Sequence, residues 1–248
     1  MVAMDLLLLM GICGFVASVL HSLTGFGGAL FLAAMLAPLI GIKDAVPVTA
    51  AAMIVANVTR VYVFRHDIPW HVVALVVPAA VPGIILGAML FVGMSDLVVS
   101  VLVGAYLVIA VIARHVVSRT YHVGPKTLGS VSAVYGLIGG TTFGAGLMLA
   151  PFLLGAGIAG VRLVATVAVC GLVLNLLKSV VFGWSAAFGP AVLVTGLGIG
   201  LCTIPGTYVG RWLLGRVTAT MHTYILECLL VLVGIYLLQG GVIGMLQG

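Results

Sequence analysis

Two long apolar stretches of this chain are each interrupted by glycine beside threonine. The first interruption is Thr24-Gly25-Phe26-Gly27-Gly28, and the second, half a chain later, is Thr141-Thr142-Phe143-Gly144-Ala145-Gly146. Clustered glycines break a helix, each being roughly 1 kcal/mol less favourable than alanine in a helix interior. Within a bilayer, broken backbone survives only where protein or a watery cavity satisfies its N–H and C=O groups. Two matching breaks in membrane-length runs therefore demand a helical fold that encloses both, and they point to a transport site.

The runs are read as membrane segments because the chain has no coat for water. Of its 248 residues 63% are hydrophobic, and only ten are basic and five acidic, too few to cover a soluble body of that size. The expected fold is an all-α polytopic membrane protein, a single transmembrane domain over residues 1–248. The segment that starts at Asp5 lacks a basic leading region and a small-residue cleavage site, so it is expected to stay in the mature chain. Cys13, Cys170, Cys202 and Cys228 stand apart, without metal or disulfide spacing, and no metal or cofactor is expected. The net charge of +5 is dispersed at helix ends and forms no nucleic-acid patch. With no carboxylate pair, triad spacing or nucleotide loop, the sequence gives no instrument for an enzyme.

Apolar segments run from about Asp5 to Leu23, Gly27 to Ile40, Ala45 to Phe64, Trp70 to Val92 and Leu97 to Ala113. The order then repeats from about Leu128 to Gly140, Gly144 to Leu154, Val161 to Phe182, Ala186 to Leu214 and Tyr224 to Leu238. Matched positions keep their order. Phe26, Gly27 and Thr49 answer Phe143, Gly144 and Thr166 at an offset of 117, and Asn57, Arg60 and Phe64 answer Asn175, Lys178 and Phe182 at 118. Pro82-Gly83-x-x-x-Gly87 returns as Pro205-Gly206-x-x-x-Gly210 at 123, and Val103-Gly104-Ala105-Tyr106-Leu107 as Val233-Gly234-Ile235-Tyr236-Leu237 at 130. This reads as a duplication, with residues 1–120 the first repeat and 121–248 the second.

Each repeat is a glycine-broken helix hairpin followed by three transmembrane helices. A hairpin returns the chain to its starting side and three helices do not, so the second repeat enters inverted. With both termini outside, Arg60, Arg65, Arg114, Arg119, Lys126, Arg162, Arg211 and Arg216 fall on or near the inner face, while Lys43 and Lys178 fall near the other. That asymmetry is what the positive-inside rule requires.

In inverted-repeat transporters, half-helix N-termini near the midplane present unpaired N–H groups to anions. Gly25, Gly27 and Gly28 in one half and Gly144 in the other allow an anion to approach the backbone closely, and Thr24, Thr141 and Thr142 add hydroxyl donors. Asn57 and Asn175, mid-helix amides, are candidates to face the same site or to bond between helices. His21, one turn before the first break, is a candidate ligand or proton carrier without a repeat partner. Arg60 and Lys178, one turn beyond the asparagines, are candidates to attract an anion at the two entrances. Both Pro-Gly-x-x-x-Gly stretches read as kinks and packing surfaces, and Glu227 as interfacial.

Taken together these residues resemble the TauE/SafE family of sulfite exporters. The likeness is carried by Gly25-Phe26-Gly27-Gly28 with Pro38, its echo Gly139-Gly140-Thr141-Thr142-Phe143-Gly144-Ala145-Gly146 with Pro151, the Asp67-Ile68-Pro69-Trp70 loop and both Pro-Gly-x-x-x-Gly stretches. The resemblance implies transport of sulfite or an organosulfonate such as sulfoacetate across a bacterial inner membrane, with export often proposed. The second half lacks a close counterpart of the Asp67 to Trp70 loop. An anion channel built from the same parts is one rival reading. Another is a cation or metal transporter using the carbonyl ends of the broken helices, with Glu227 as partner.

Overall fold

A computed structural model describes residues 2–24, 27–95, 97–99, 101–102, 104–106, 122–143, 145–185, 189–214 and 216. Among these 89% are helical and none is in a strand. The helices are α1 (Val2–Thr24), α2 (Gly28–Ile40), α3 (Ile42–Val63), α4 (Trp70–Gly93), α5 (Leu97–Tyr106), α6 (Pro125–Thr141), α7 (Gly146–Gly155), α8 (Gly160–Trp184) and α9 (Pro190–Leu214). A short 3-10 turn, Arg65–Asp67, precedes α4. The predicted last helix, Tyr224 to Leu238, lies outside the described residues, as do Glu227, Arg114 and Arg119.

Helix ends follow local chemistry more closely than hydropathy does. α3 starts at Ile42, ahead of its apolar run, because Asp44 in its first turn suits the helix N-terminus. α6 starts at Pro125, where a proline loses no needed N–H and is already set to helical φ. Gly41 joins α2 to α3 with φ 83°, a left-handed value that a side chain would resist.

α1, α3, α4, α8 and α9 are each long and apolar enough to cross a membrane. α2 and α7, with 13 and 10 residues, extend only about 20 and 15 Å at the helical rise. That is short of a hydrocarbon core of about 30 Å, so neither crosses alone. Polarity is distributed opposite to a soluble protein. Leu8, Met89, Val194, Leu201 and Trp184 are exposed, whereas Ser18, Asn57, Arg60, Thr166, Asn175 and Lys178 are buried. Lipid as the outer solvent accounts for both facts.

α3 packs on α8 at the centre. Around them α4 lies on α6, α1 on α9, α3 on α9 and α4 on α8, while α2 and α7 lean on α3 and α8. Small residues set these approaches. A Cβ on Gly136 would overlap the Ala80 carbonyl, and one on Gly140 would meet the Ile84 carbonyl, so α4 and α6 touch backbone to backbone. Gly206 faces Phe15 and Ser18, and Gly210 faces Val19 and Ser22. Gly83, Gly87, Gly206 and Gly210 of the Pro-Gly-x-x-x-Gly stretches are thus packing surfaces. Ser18 ties α1 to α9 by donating to the Thr203 carbonyl at 2.7 Å.

The same contacts give helix directions. Ala80 meets Gly136 and Ile84 meets Gly140, so α4 and α6 run parallel; the α1 and α9 pairs also advance together. α3 and α9 run parallel too, from Val48 beside Gly196 to the Val63 carbonyl bonded by Arg211. α3 and α8 run antiparallel, since Arg60 reaches the Val164 carbonyl while Asn57 lies against Gly171.

Candidate functional site

Both breaks occur where the sequence places them. α1 stops at Thr24 and α2 begins at Gly28; α6 stops at Thr141 and α7 begins at Gly146. Gly27 takes φ 90° at the N-terminus of α2, a conformation costing other residues about 1–2 kcal/mol. Neither N-terminus has a side-chain cap: Gly27 and Ala145, the residues preceding α2 and α7, form no such bond. A helix leaves its first N–H groups without intrahelical partners, and among the described residues no side chain caps those of α2 or α7.

The two breaks meet. A cavity of about 50 Å³ is lined by Gly27 and Ala29 from one break and by Thr142, Phe143, Ala145 and Gly146 from the other. α1 contributes His21, α3 contributes Thr49 and Asn57, α6 contributes Tyr135 and Gly139, and α8 contributes Gly171, Asn175 and Lys178. No carboxylate lines the cavity among the described residues. Among the described residues its lining holds one charged side chain, the Lys178 ammonium, which offsets the negative end of α6, while the positive ends of α2 and α7 also face it; with no carboxylate opposite, this field favours an anion.

The C-terminal end of α6 is satisfied locally. Thr141 and Thr142 donate their hydroxyls to the Ile138 carbonyl at 3.0 and 2.8 Å. The Lys178 ammonium donates to the carbonyls of Gly139 at 3.0 Å and Thr142 at 2.8 Å. A cation there complements both the unpaired carbonyls and the negative helix end. Arg60 donates to Asn57 Oδ1 at 3.1 Å, and Asn175 Nδ2 donates to its own helix at the Gly171 carbonyl, 2.7 Å away.

Of the residues singled out from the sequence, His21, Gly27, Thr142, Asn57, Asn175 and Lys178 line this cavity. Gly28 lies beside it, its α-carbon so close to the His21 ring that a Cβ would overlap the imidazole. Thr141 points its hydroxyl back into α6 instead. Arg60 and Lys178, expected near helix ends facing the entrances, are 0% and 2% exposed; they turn inward to donate hydrogen bonds, Arg60 to Asn57 and the Val164 carbonyl, Lys178 to carbonyls at the end of α6. Gly25 and Gly144 lie outside the described residues, as does the side chain of Thr24. Thr49 enters the sequence reading only as the repeat match of Thr166, yet it lines the cavity. That pairing within an apolar run was the available signal.

Helices long enough to cross a membrane, with an apolar exterior and a cavity at two helix breaks, define a polytopic membrane protein. The chain belongs to the sulfite exporter TauE/SafE family, whose model matches residues 10–237. Membership implies a membrane transporter of sulfite or related anions. No curated protein and no solved structure matches the chain.

Proposed function

We propose that the protein exports a small sulfur-containing oxyanion, sulfite or an organosulfonate such as sulfoacetate, by alternating access. The anion binds in the cavity between the two breaks. The observation that carries this reading is the meeting, at one cavity, of two half-helix N-termini that no side chain among the described residues caps, beside an ammonium and with no carboxylate among the described lining residues. That arrangement stabilises negative charge through oriented peptide dipoles, and it works against the cation reading.

In this reading the halves, 1–120 and 121–248, are inverted repeats, with both termini outside the inner membrane of a bacterium. Support comes from the packing, in which exchanging α1, α2, α3 and α4 with α6, α7, α8 and α9 reproduces the pairs of helices in contact. The antiparallel run of α3 and α8 suits inversion, since parallel repeats would align them. An interior-negative potential of 100 mV favours the exit of a monovalent anion by about 2.3 kcal/mol, so export requires no coupled cation.

The test is flux from proteoliposomes loaded with labelled sulfite, sulfoacetate or sulfate. Saturable efflux of sulfite or sulfoacetate, faster under an inside-negative potential and lost in Gly28→Leu, is expected. Absence of sulfite and sulfoacetate flux from the folded protein contradicts the reading, and unsaturable current would make it a channel.

A further inference from the structure

The polar side chains of the cavity divide by half of the chain. In the second half three of them are engaged with backbone: Thr142 with the Ile138 carbonyl, Asn175 with that of Gly171, and Lys178 with those of Gly139 and Thr142; Tyr135 also lines the cavity. Thr166, the repeat match of Thr49, donates to the Arg162 carbonyl at 2.7 Å and does not line the cavity.

In the first half Asn57 accepts from Arg60, but two other lining side chains differ. His21 is 7% exposed and Thr49 2%, and both line the cavity. Among the described residues neither ring nitrogen of His21 nor the Thr49 hydroxyl has a hydrogen-bond partner. The hydroxyls of Ser22 and Ser179 share that state, but neither lines the cavity. Buried polar atoms are nearly always paired in folded proteins, so three unpaired atoms facing one small cavity mark where a ligand completes the bonding. The position matching His21 at the 117 offset is Ile138, which has no side-chain donor or acceptor.

We propose that the substrate is ligated one-sidedly, by His21 and Thr49 of the first half together with the opening amides of α2. The second half contributes the charge of Lys178 rather than matching side-chain bonds. This rests on the anion-transport reading and narrows its substrate to a compact oxyanion, one central atom bearing three or four oxygens. A cavity of about 50 Å³ holds only a few groups of water size, at about 10–15 Å³ for each, a space that suits a compact oxyanion better than the carbon chain of an extended sulfonate.

The test is equilibrium binding of labelled sulfite to the full chain in nanodiscs, comparing the isosteric variants Thr49→Val and Thr166→Val. Thr49→Val and His21→Phe are expected to weaken binding about tenfold or more, the scale of a lost hydrogen bond to a charged ligand. Thr49→Ser is expected to restore it, Thr166→Val to stay within about threefold of the parent, and unlabelled sulfoacetate not to displace the label where sulfite does. If the parent binds sulfite but both threonine variants weaken it equally, or Thr49→Val and His21→Phe leave it unchanged, one-sided ligation is wrong. Equal displacement by sulfoacetate removes the size limit. A folded parent that binds no sulfite overturns the underlying transport reading and this inference with it.

Discussion

A lysine ammonium in the middle of an apolar protein is costly unless its charge is met by hydrogen-bond acceptors. Lys178 meets this condition through two carbonyls at the end of α6, so it fastens the second break while charging the cavity. Lys178→Met is expected to destabilise the protein by about 1–3 kcal/mol through the carbonyls it strands, read as a lower unfolding midpoint in detergent. Gly27→Ala is expected to cost about 1–2 kcal/mol for its left-handed backbone, measured in the same way. The glycines of the breaks were legible in the sequence because they recur beside threonine at matching places in both halves, which close helix packing alone explains less well. The inward turn of Arg60 and Lys178 was not, because their acceptors at Val164, Gly139 and Thr142 lie far away along the chain. A lone threonine such as Thr49 is an equally weak signal, since threonine in a membrane helix ordinarily bonds its own backbone, as Thr166 does.

Among the elements, hydropathy alone located nearly every described helix, with starts displaced by a few residues where proline or an acidic first turn took over. Pairing was less legible. Lipid tails are as apolar as the helices, so association rests on how closely backbones approach, and that depends on which glycines face a neighbour. α6 separates the two cases. Gly136 and Gly140 are pressed against the backbone of α4, whereas a Cβ on Gly129 would meet nothing within 4 Å. Gly136→Val is expected to prevent recovery of monodisperse protein by size-exclusion chromatography. Gly129→Ala is expected to be neutral or to stabilise by up to about 1 kcal/mol through helix propensity. Equal behaviour of the two variants would mean that α4 and α6 do not pack as described.

For the whole molecule, the duplication and the distribution of basic residues led to inverted halves, and the helix directions give that proposal its geometric form. Repeat-equivalent loops then belong on opposite sides of the membrane. In a background lacking Cys13, Cys170, Cys202 and Cys228, His66→Cys is expected to react with an impermeant thiol reagent only from the cytoplasmic side, and Ser185→Cys only from outside. Labelling of both from one side would make the repeats parallel. The central claim, that an oxyanion sits between the two breaks, is tested most directly with selenite, the heavier analogue of sulfite, in an anomalous difference map from crystals of the full chain. A selenium peak within hydrogen-bonding reach of His21, Thr49 and the first turn of α2 is the predicted result. An ordered map whose only selenium peaks lie elsewhere would contradict it.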